Sequence, residues 1–130
     1  MKNLIKSAAA ATLLLVLMSA SIASAQSLTG PQKNAVRSAN NYLNMTGFSR
    51  DGLIDQLSSP YGDGYSVADA TAAVDSLSAD WNRHAVRSAT AYLSMMGFSC
   101  SGLIDQLSSS YGDKYTRSQA TFGAQQAGAC

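Results

Sequence analysis

Apolar residues recur at helical spacing in three blocks, and the same blocks return about fifty residues further along the chain. The first block follows Thr29-Gly30-Pro31, in which a capping residue comes just before a proline at the first helical position. We predict a helix over residues 31–46 that ends at Gly47, because glycine commonly terminates helices. Its apolar side carries Ala35, Val36, Ala39, Tyr42, Leu43 and Thr46.

Two shorter helices are predicted to complete the unit. Ser49 is placed to cap the first of them, and Phe48 to pack against Leu53 in a hydrophobic staple. Gly52 lies inside this short helix at a cost in helix propensity of about 1 kcal/mol, which suggests a close approach to the preceding helix. The last helix is predicted over residues 67–78, after a turn-rich loop, and its apolar positions are Val67, Ala70, Val74 and Leu77.

The unit then repeats. Asp80 is placed to cap a helix from Trp81 to about Met96, and roughly three quarters of positions 35–65 are identical to those fifty residues later. We therefore predict an all-α fold built as a tandem of two three-helix, helix-turn-helix-like repeats, at residues 31–79 and 80–130. A loose segment, residues 26–30, precedes them. Trp81 lies at the joint and is expected to pack between the two copies.

Residues 1–25 have the pattern of a secretory signal peptide. Lys2 and Lys6 precede a short apolar run, and Ala23-Ser24-Ala25 forms an A-x-A cleavage site. We expect a mature chain that begins at Gln26 and lies outside the cell or at its surface. The alternative is an uncleaved anchor, the one case in which the chain would contact a membrane. No cysteine lies directly after the apolar run, so release is expected rather than lipid anchoring.

The composition argues against catalysis, metal binding and DNA binding. Without Lys2 and Lys6, the nine Lys and Arg fall to seven against eight acids, so the mature chain is slightly acidic, whereas a DNA-binding surface is basic. Every acid is Asp, and the one histidine, His84, is expected to be an exposed polar residue. Asp63 and Asp113 are expected to be turn residues. We predict no enzyme activity, no cofactor, no metal site and no nucleic-acid partner.

The second copy differs from the first near its end. Three apolar positions, Val67, Val74 and Leu77, become Arg117, Ala124 and Ala127, and Gly123 enters the last helix. The only cysteines, Cys100 and Cys130, both lie in this copy and are expected to form a disulfide that offsets the smaller core, or else to pair between molecules.

The cysteine positions also predict an ion pair in the first copy. Cys100 aligns with Arg50, and Cys130 with Asp80. If the disulfide forms, Arg50 and Asp80 should lie close enough to pair.

Two groups of residues are candidates for contact with a partner. The first is the exposed side of the short second helix in each copy, which carries Arg50, Asp51, Asp55, Gln56, Asp105 and Gln106. The second is the tyrosines of the two Tyr-Gly-Asp loops, Tyr61 and Tyr111, followed by Tyr65 and Tyr115. These tyrosines either cover the edge of the core or contact a partner, since tyrosine is common at interfaces.

Both copies contain the pattern Ala-Val-Arg-Ser-Ala-x-x-Tyr-Leu-x-Met-x-Gly-Phe-Ser, followed by Gly-Leu-Ile-Asp-Gln-Leu-Ser-Ser, Tyr-Gly-Asp and Tyr. This pattern resembles the repeat of the Ltp family. These are host cell-surface-exposed lipoproteins of Gram-positive bacteria and their phages. The resemblance covers nearly the whole mature chain, twice. It implies tandem helix-turn-helix-like domains outside the membrane, without enzyme activity. For phage-encoded members it implies superinfection exclusion, in which contact with the tape measure protein of an incoming phage blocks DNA injection.

Two functional hypotheses follow. One is an exclusion module whose acidic second-helix faces, including Asp55 and Asp105, meet a basic segment of a phage protein. The other is a structural or adhesive protein of the envelope that binds a cell-wall component.

Overall fold

The computed structural model describes residues 27–130 and contains six α-helices in that part of the chain. They are α1 (Gly30–Met45), α2 (Arg50–Ser58), α3 (Val67–Asp75), α4 (Trp81–Met95), α5 (Cys100–Ser108) and α6 (Arg117–Gln126). The predicted all-α class and tandem arrangement are confirmed. The proposed signal peptide lies outside the described residues. Among the six helices, none has the length and apolar character needed to cross a bilayer.

Each helix begins at a side-chain cap, so its starting point is set by local sequence. In every case the cap oxygen accepts a hydrogen bond from the backbone N–H three residues on. Two of the caps also receive the reciprocal bond from a glutamine and form complete capping boxes. In chain order the caps are Thr29, Ser49, Ser66, Asp80, Ser99 and Thr116.

Each repeat buries its own core, because the main helix contacts join α1 and α2 to α3, and α4 and α5 to α6. Both cores are made of the alanines of the outer helices and the Leu-Ile-x-x-Leu side of the short middle helix. The first consists of Ala39, Leu53, Ile54, Leu57, Ala70 and Val74. The second consists of Ala85, Ala89, Leu103, Ile104, Leu107, Tyr115, Ala120 and Ala124.

The predicted staple is present in both copies. Phe48 packs against the core that contains Leu53, and its ring meets that of Tyr42 edge to face at 5.7 Å. Phe98 and Tyr92 repeat this arrangement at 5.5 Å. Such edge-to-face pairs add about 0.5–1.5 kcal/mol to the area they bury. The aromatic pair therefore fixes the angle at which the chain leaves α1 and α4.

Some positions predicted to be apolar contacts are exposed. Thr46 and Met96 have an extended backbone as the residues that end α1 and α4, so their side chains leave the helical stripe. Val67 is 65% exposed, because it is the first residue of α3 and projects beyond the core. Its replacement by Arg117 therefore removes nothing from the second core, and Arg117 instead donates to Asp105 at 2.7 Å.

The small residues of α6 allow it to lie very close to α4. A Cβ atom at Gly123 would come within 2.7 Å of the backbone of Ala85. Gly123 is thus a packing residue at a close helix crossing, although it is a poor helix former.

The predicted disulfide between Cys100 and Cys130 is confirmed, and it links the start of α5 to the segment after α6. The predicted ion pair between Arg50 and Asp80 is wrong. Arg50 instead donates to both carboxylate oxygens of Asp75, at 2.6 Å and 2.9 Å. The alignment of Asp80 with Cys130 misleads because the two residues have different roles. Asp80 precedes α4 and caps it, whereas Cys130 follows α6 and caps no helix.

Candidate partner-binding surface

The two repeats meet through the turn between α1 and α2 on one side, and α4 with the loop before α6 on the other. Ser49 is central to this junction and only 1% exposed. Its hydroxyl accepts from the backbone N–H of Gly52 and donates to the backbone carbonyl of Asp113. One side chain thus caps α2 and fastens the second repeat to it.

Two further contacts complete the junction. Arg87 of α4 donates from Nη1 to the carbonyl oxygen of Leu43 at 2.6 Å, which satisfies an acceptor in the last turn of α1. Gly47 lies against α4, where a Cβ atom would be 2.5 Å from the carbonyl oxygen of His84. These hydrogen bonds between the repeats all end on backbone carbonyl groups.

The sequence suggested that Gly52 allows α2 to approach α1 closely, but α1 is not its close neighbour. A Cβ atom there would instead lie 2.9 Å from the Ser49 hydroxyl and 3.2 Å from the carbonyl oxygen of Asp113. The closest of these atoms is the hydroxyl of the helix's own cap, and a Cβ atom at Gly102 would likewise lie 2.8 Å from the Ser99 hydroxyl, so the cap favours glycine in both copies. The carbonyl oxygen of the other repeat adds to this only at Gly52.

Trp81 and His84 occupy the joint between the repeats. Trp81 packs against the core of the first repeat, although it belongs to the first helix of the second. The Trp81 and His84 rings are 5.7 Å apart, and His84 is partly buried rather than exposed as expected. Burial lowers the pKa of His84, and the charge of Arg87 lowers it further. The imidazole is therefore mainly neutral at pH 7.

An open groove of about 540 Å³ lies between the repeats. Its lining includes Asp55, Gln56, Tyr92, Met95 and Asp113. The Asp113 Oδ2 atom is buried and has no hydrogen-bond partner among the described residues. Burial raises the pKa of Asp113. The groove thus combines an apolar side with a carboxylate that is poorly solvated.

The predicted contact residues of α2 lie on its surface but already have partners within the chain. Arg50 bonds to Asp51 at 3.0 Å as well as to Asp75. This arrangement lowers the pKa of Asp75, chiefly through the hydrogen bond from Arg50. Asp55 is exposed and forms an ion pair with Lys114 of the second repeat.

Gln56 and Gln106 are positioned inside their own repeats. The Gln56 side chain donates to the Tyr42 hydroxyl at 3.2 Å, and Gln106 donates to the Tyr92 hydroxyl at the same distance. Asp105 is exposed and paired with Arg117. The structure therefore does not gather the candidates of α2 and α5 into one acidic patch.

The four loop tyrosines divide into two kinds. Tyr61 and Tyr111 are fully exposed at the tips of their loops. Tyr65 and Tyr115 point inward, and Tyr115 shares a 2.7 Å hydrogen bond with Ser88. The second tyrosine of each loop thus covers the core, and the first remains a candidate for contact with a partner.

No group of three or more His, Cys, Asp or Glu residues within residues 27–130 is arranged to hold a metal ion. The exposed features of this region include carboxylates in ion pairs, two loop-tip tyrosines, the groove and three methionines, Met45, Met95 and Met96. These groups suit contact with another macromolecule.

The chain consists of two three-helix units in tandem, each with its own apolar core and a polar surface. This arrangement is that of a helical repeat protein. The sequence profile described as host cell surface-exposed lipoprotein, Lipoprotein_Ltp, matches residues 31–77 and again residues 80–126. The chain belongs to this family.

A solved structure shares the arrangement. Ltp, a superinfection exclusion protein from the Streptococcus thermophilus temperate phage TP-J34, superimposes with a TM-score of 0.68 at 28% sequence identity. The alignment covers 76% of this chain and 97% of that protein. No curated protein matches this chain significantly.

Proposed function

We propose that this protein is a superinfection-exclusion module that acts at the cell surface by binding a component of the DNA-injection apparatus of an incoming phage. The observation that carries the proposal is that the match to Ltp of phage TP-J34 spans 97% of that protein and includes both repeats. This chain therefore has a counterpart of nearly every part of Ltp on which exclusion depends.

The partner we propose is a basic segment of a phage tape measure protein. It would contact the carboxylates of α2 and α5 and the loop-tip tyrosines. Asp55 and Asp105 are exposed and lie at equivalent positions of the two repeats. Their partners Lys114 and Arg117 are held only by surface ion pairs, which contribute about 0–1 kcal/mol. A basic segment can therefore replace those partners at low cost.

The fully exposed Tyr61 and Tyr111 would supply apolar contact in addition to this charge. Tyrosine offers a large contact area while losing little side-chain entropy on binding. Because the loops repeat, an extended segment could be held at two points, and two linked contacts bind more tightly than either alone.

The proposed contact between this surface and a phage protein is tested by a binding measurement. The purified protein is titrated with the tape measure protein of a tailed phage that infects the bacterium carrying this chain. Each of Asp55→Asn and Asp105→Asn should weaken binding by about two- to fivefold, equivalent to about 0.5–1 kcal/mol. The loss should shrink as salt is added, because exposed charges are screened.

Asp69→Asn is the matched control. It removes the same charge from α3, and an asparagine there can still accept the hydrogen bond from Gln32. Equal losses in all three variants would show an effect of net charge alone and would count against this surface. Retained binding in the double variant would also contradict it. Binding to purified cell walls but to no phage protein would favour the adhesive function instead.

A further inference from the structure

The contact between the repeats is heterologous, since each repeat uses a different face. The first repeat contributes what we call the turn face, formed by Gly47, Ser49, Gly52 and Asp55. The second contributes the loop face, formed by Arg87, Ser88, Asp113 and Lys114. A heterologous contact leaves one copy of each face unused, and such faces can join further copies head to tail.

The unused turn face belongs to the second repeat and keeps the same residue types. Gly97, Ser99, Gly102 and Asp105 stand where Gly47, Ser49, Gly52 and Asp55 stand in the first. Ser99 is exposed, whereas Ser49 is 1% exposed. A Cβ atom at Gly97 would have no neighbour within 4 Å, and its φ is not in the left-handed region. Among residues 27–130, no neighbouring atom requires glycine at position 97.

The unused loop face belongs to the first repeat. Arg37, Ser38 and Asp63 stand where Arg87, Ser88 and Asp113 stand in the second. Ser38 shares a hydrogen bond with the Tyr65 hydroxyl, as Ser88 does with Tyr115, so the local geometry is the same.

The loop face of the first repeat is more open than its counterpart. Arg37 is exposed where Arg87 is partly buried. Tyr65 is partly exposed, whereas Tyr115 is 3% exposed. These differences occur where the second repeat is covered by the first, whereas within residues 27–130 no other segment covers the corresponding face of the first repeat.

We propose that a second copy of this chain docks on these two faces, with the turn face of one molecule's second repeat on the loop face of the next molecule's first repeat. The Ser99 hydroxyl donates to the carbonyl oxygen of Asp63, as Ser49 does to Asp113. Arg37 donates to the carbonyl oxygen of Leu93, as Arg87 does to Leu43. The occupant is inferred from continuity with the existing contact between the repeats.

The contact between molecules lacks two features of the contact within one molecule, so it is the weaker of the two. Gly64 stands in place of Lys114, so Asp105 has no lysine opposite it. Pro31 stands in place of Trp81, which packs against the neighbouring core at the internal joint.

The missing lysine offers a gain-of-function test. Gly64 has φ +68°, and Lys114 holds φ 60° at the equivalent position, so lysine fits the backbone there. Gly64→Lys should therefore place an ammonium group opposite Asp105 without disturbing the loop. The existing pair of Asp105 with Arg117 is exposed and contributes only about 0–1 kcal/mol, so it can give way to the new one.

The experiment is sedimentation velocity of the purified protein over a wide concentration range. The wild type should show reversible, concentration-dependent association, and Gly64→Lys should associate at several-fold lower concentration. Gly97→Glu should remove association by placing a charged side chain where α1 of the next molecule docks. Its thermal melt should stay unchanged, because position 97 is open in the monomer. Thr90→Glu adds the same charge at another exposed position of the second repeat and should associate as the wild type does.

Two results would overturn the proposal. One is a monomer at every concentration for both the wild type and Gly64→Lys. The other is association that persists unchanged in Gly97→Glu, since the molecules would then meet through other faces. Neither result bears on phage binding, so this inference can fail while the proposed function stands.

Discussion

At the scale of single residues, the same residue has different roles in the two repeats. Ser49 caps its helix and also holds the second repeat, whereas Ser99 caps its helix and is exposed. The difference comes from what covers the residue. Side-chain chemistry therefore determines the local fold in both copies. How much each residue contributes to the free energy of unfolding depends on whether the other repeat covers it.

Gly47 and Gly97 give a matched test of this view. Gly47→Val would place a Cβ atom 2.5 Å from the His84 carbonyl oxygen, so the repeats would have to separate. We expect it to reduce the free energy of unfolding by about 1–3 kcal/mol, as overpacking commonly does. Gly97→Val should change it by less than about 0.5 kcal/mol in dilute solution. Urea denaturation measures both, and equal effects would contradict the described junction.

His84 should make stability depend on pH. Its pKa is lowered in the folded state, so the unfolded chain binds the proton more readily. The stabilisation is complete above the unfolded pKa of about 6.5 and is lost as the pH falls through the folded pKa. Arg87 and Arg83 oppose the charged form, and Asp80 partly offsets them.

His84→Asn isolates this effect, because position 34 of the first repeat is already asparagine and His84 is the only histidine. Denaturation at pH 7.5 and pH 5.5 should show a smaller loss of stability for the variant than for the wild type. An identical loss would mean that other groups cause the pH dependence.

At the scale of elements, each repeat joins its middle helix to the end of its third helix, but by different chemistry. The first uses the Arg50–Asp75 ion pair, and the second uses the disulfide of Cys100 and Cys130. The first core contains Val74 with Leu77 beside it, whereas the second has alanines at those positions. The covalent link thus lies in the repeat whose third helix is less apolar.

The two links should differ in strength. Cys130→Ser opens a loop with a sequence separation of 30 and should cost about 3–4 kcal/mol. Asp75→Asn breaks an exposed ion pair and should cost about 0–1 kcal/mol. Thermal melts compare them, and dithiothreitol should lower the melting temperature of the wild type but not that of Cys130→Ser. Equal costs would contradict the expectation that the disulfide contributes more to stability than the Arg50–Asp75 ion pair.

The elements were predictable from sequence because their causes are local. Caps, apolar spacing and the returning Gly-Phe-Ser turn gave the six helices, and the two cysteines gave the disulfide. The Arg50–Asp80 pair failed because the Asp80 carboxylate caps α4, a role that its position before Trp81 predicts and that its alignment with Cys130 does not take into account. The junction was missed for another reason. The turn that forms it is nearly the same in both copies, so sequence cannot show which copy is covered.

At the scale of the whole molecule, two small helical units leave one turn face and one loop face uncovered by the other described residues, 27–130. The exposed ion pairs, the loop-tip tyrosines and the groove with Asp113 all lie on its surface or between its units. These features suit binding, and membership of the surface-exposed lipoprotein family together with the likeness to Ltp gives that binding its proposed target.

The most direct test of this account separates phage adsorption from DNA injection in host cells with and without the chain. Tailed phages that infect the host are added, and both adsorbed particles and phage DNA inside the cells are counted. The account predicts equal adsorption and a sharp fall in injected DNA for at least one phage when the chain is present. Equal injection of DNA in both strains for every phage tested would contradict it.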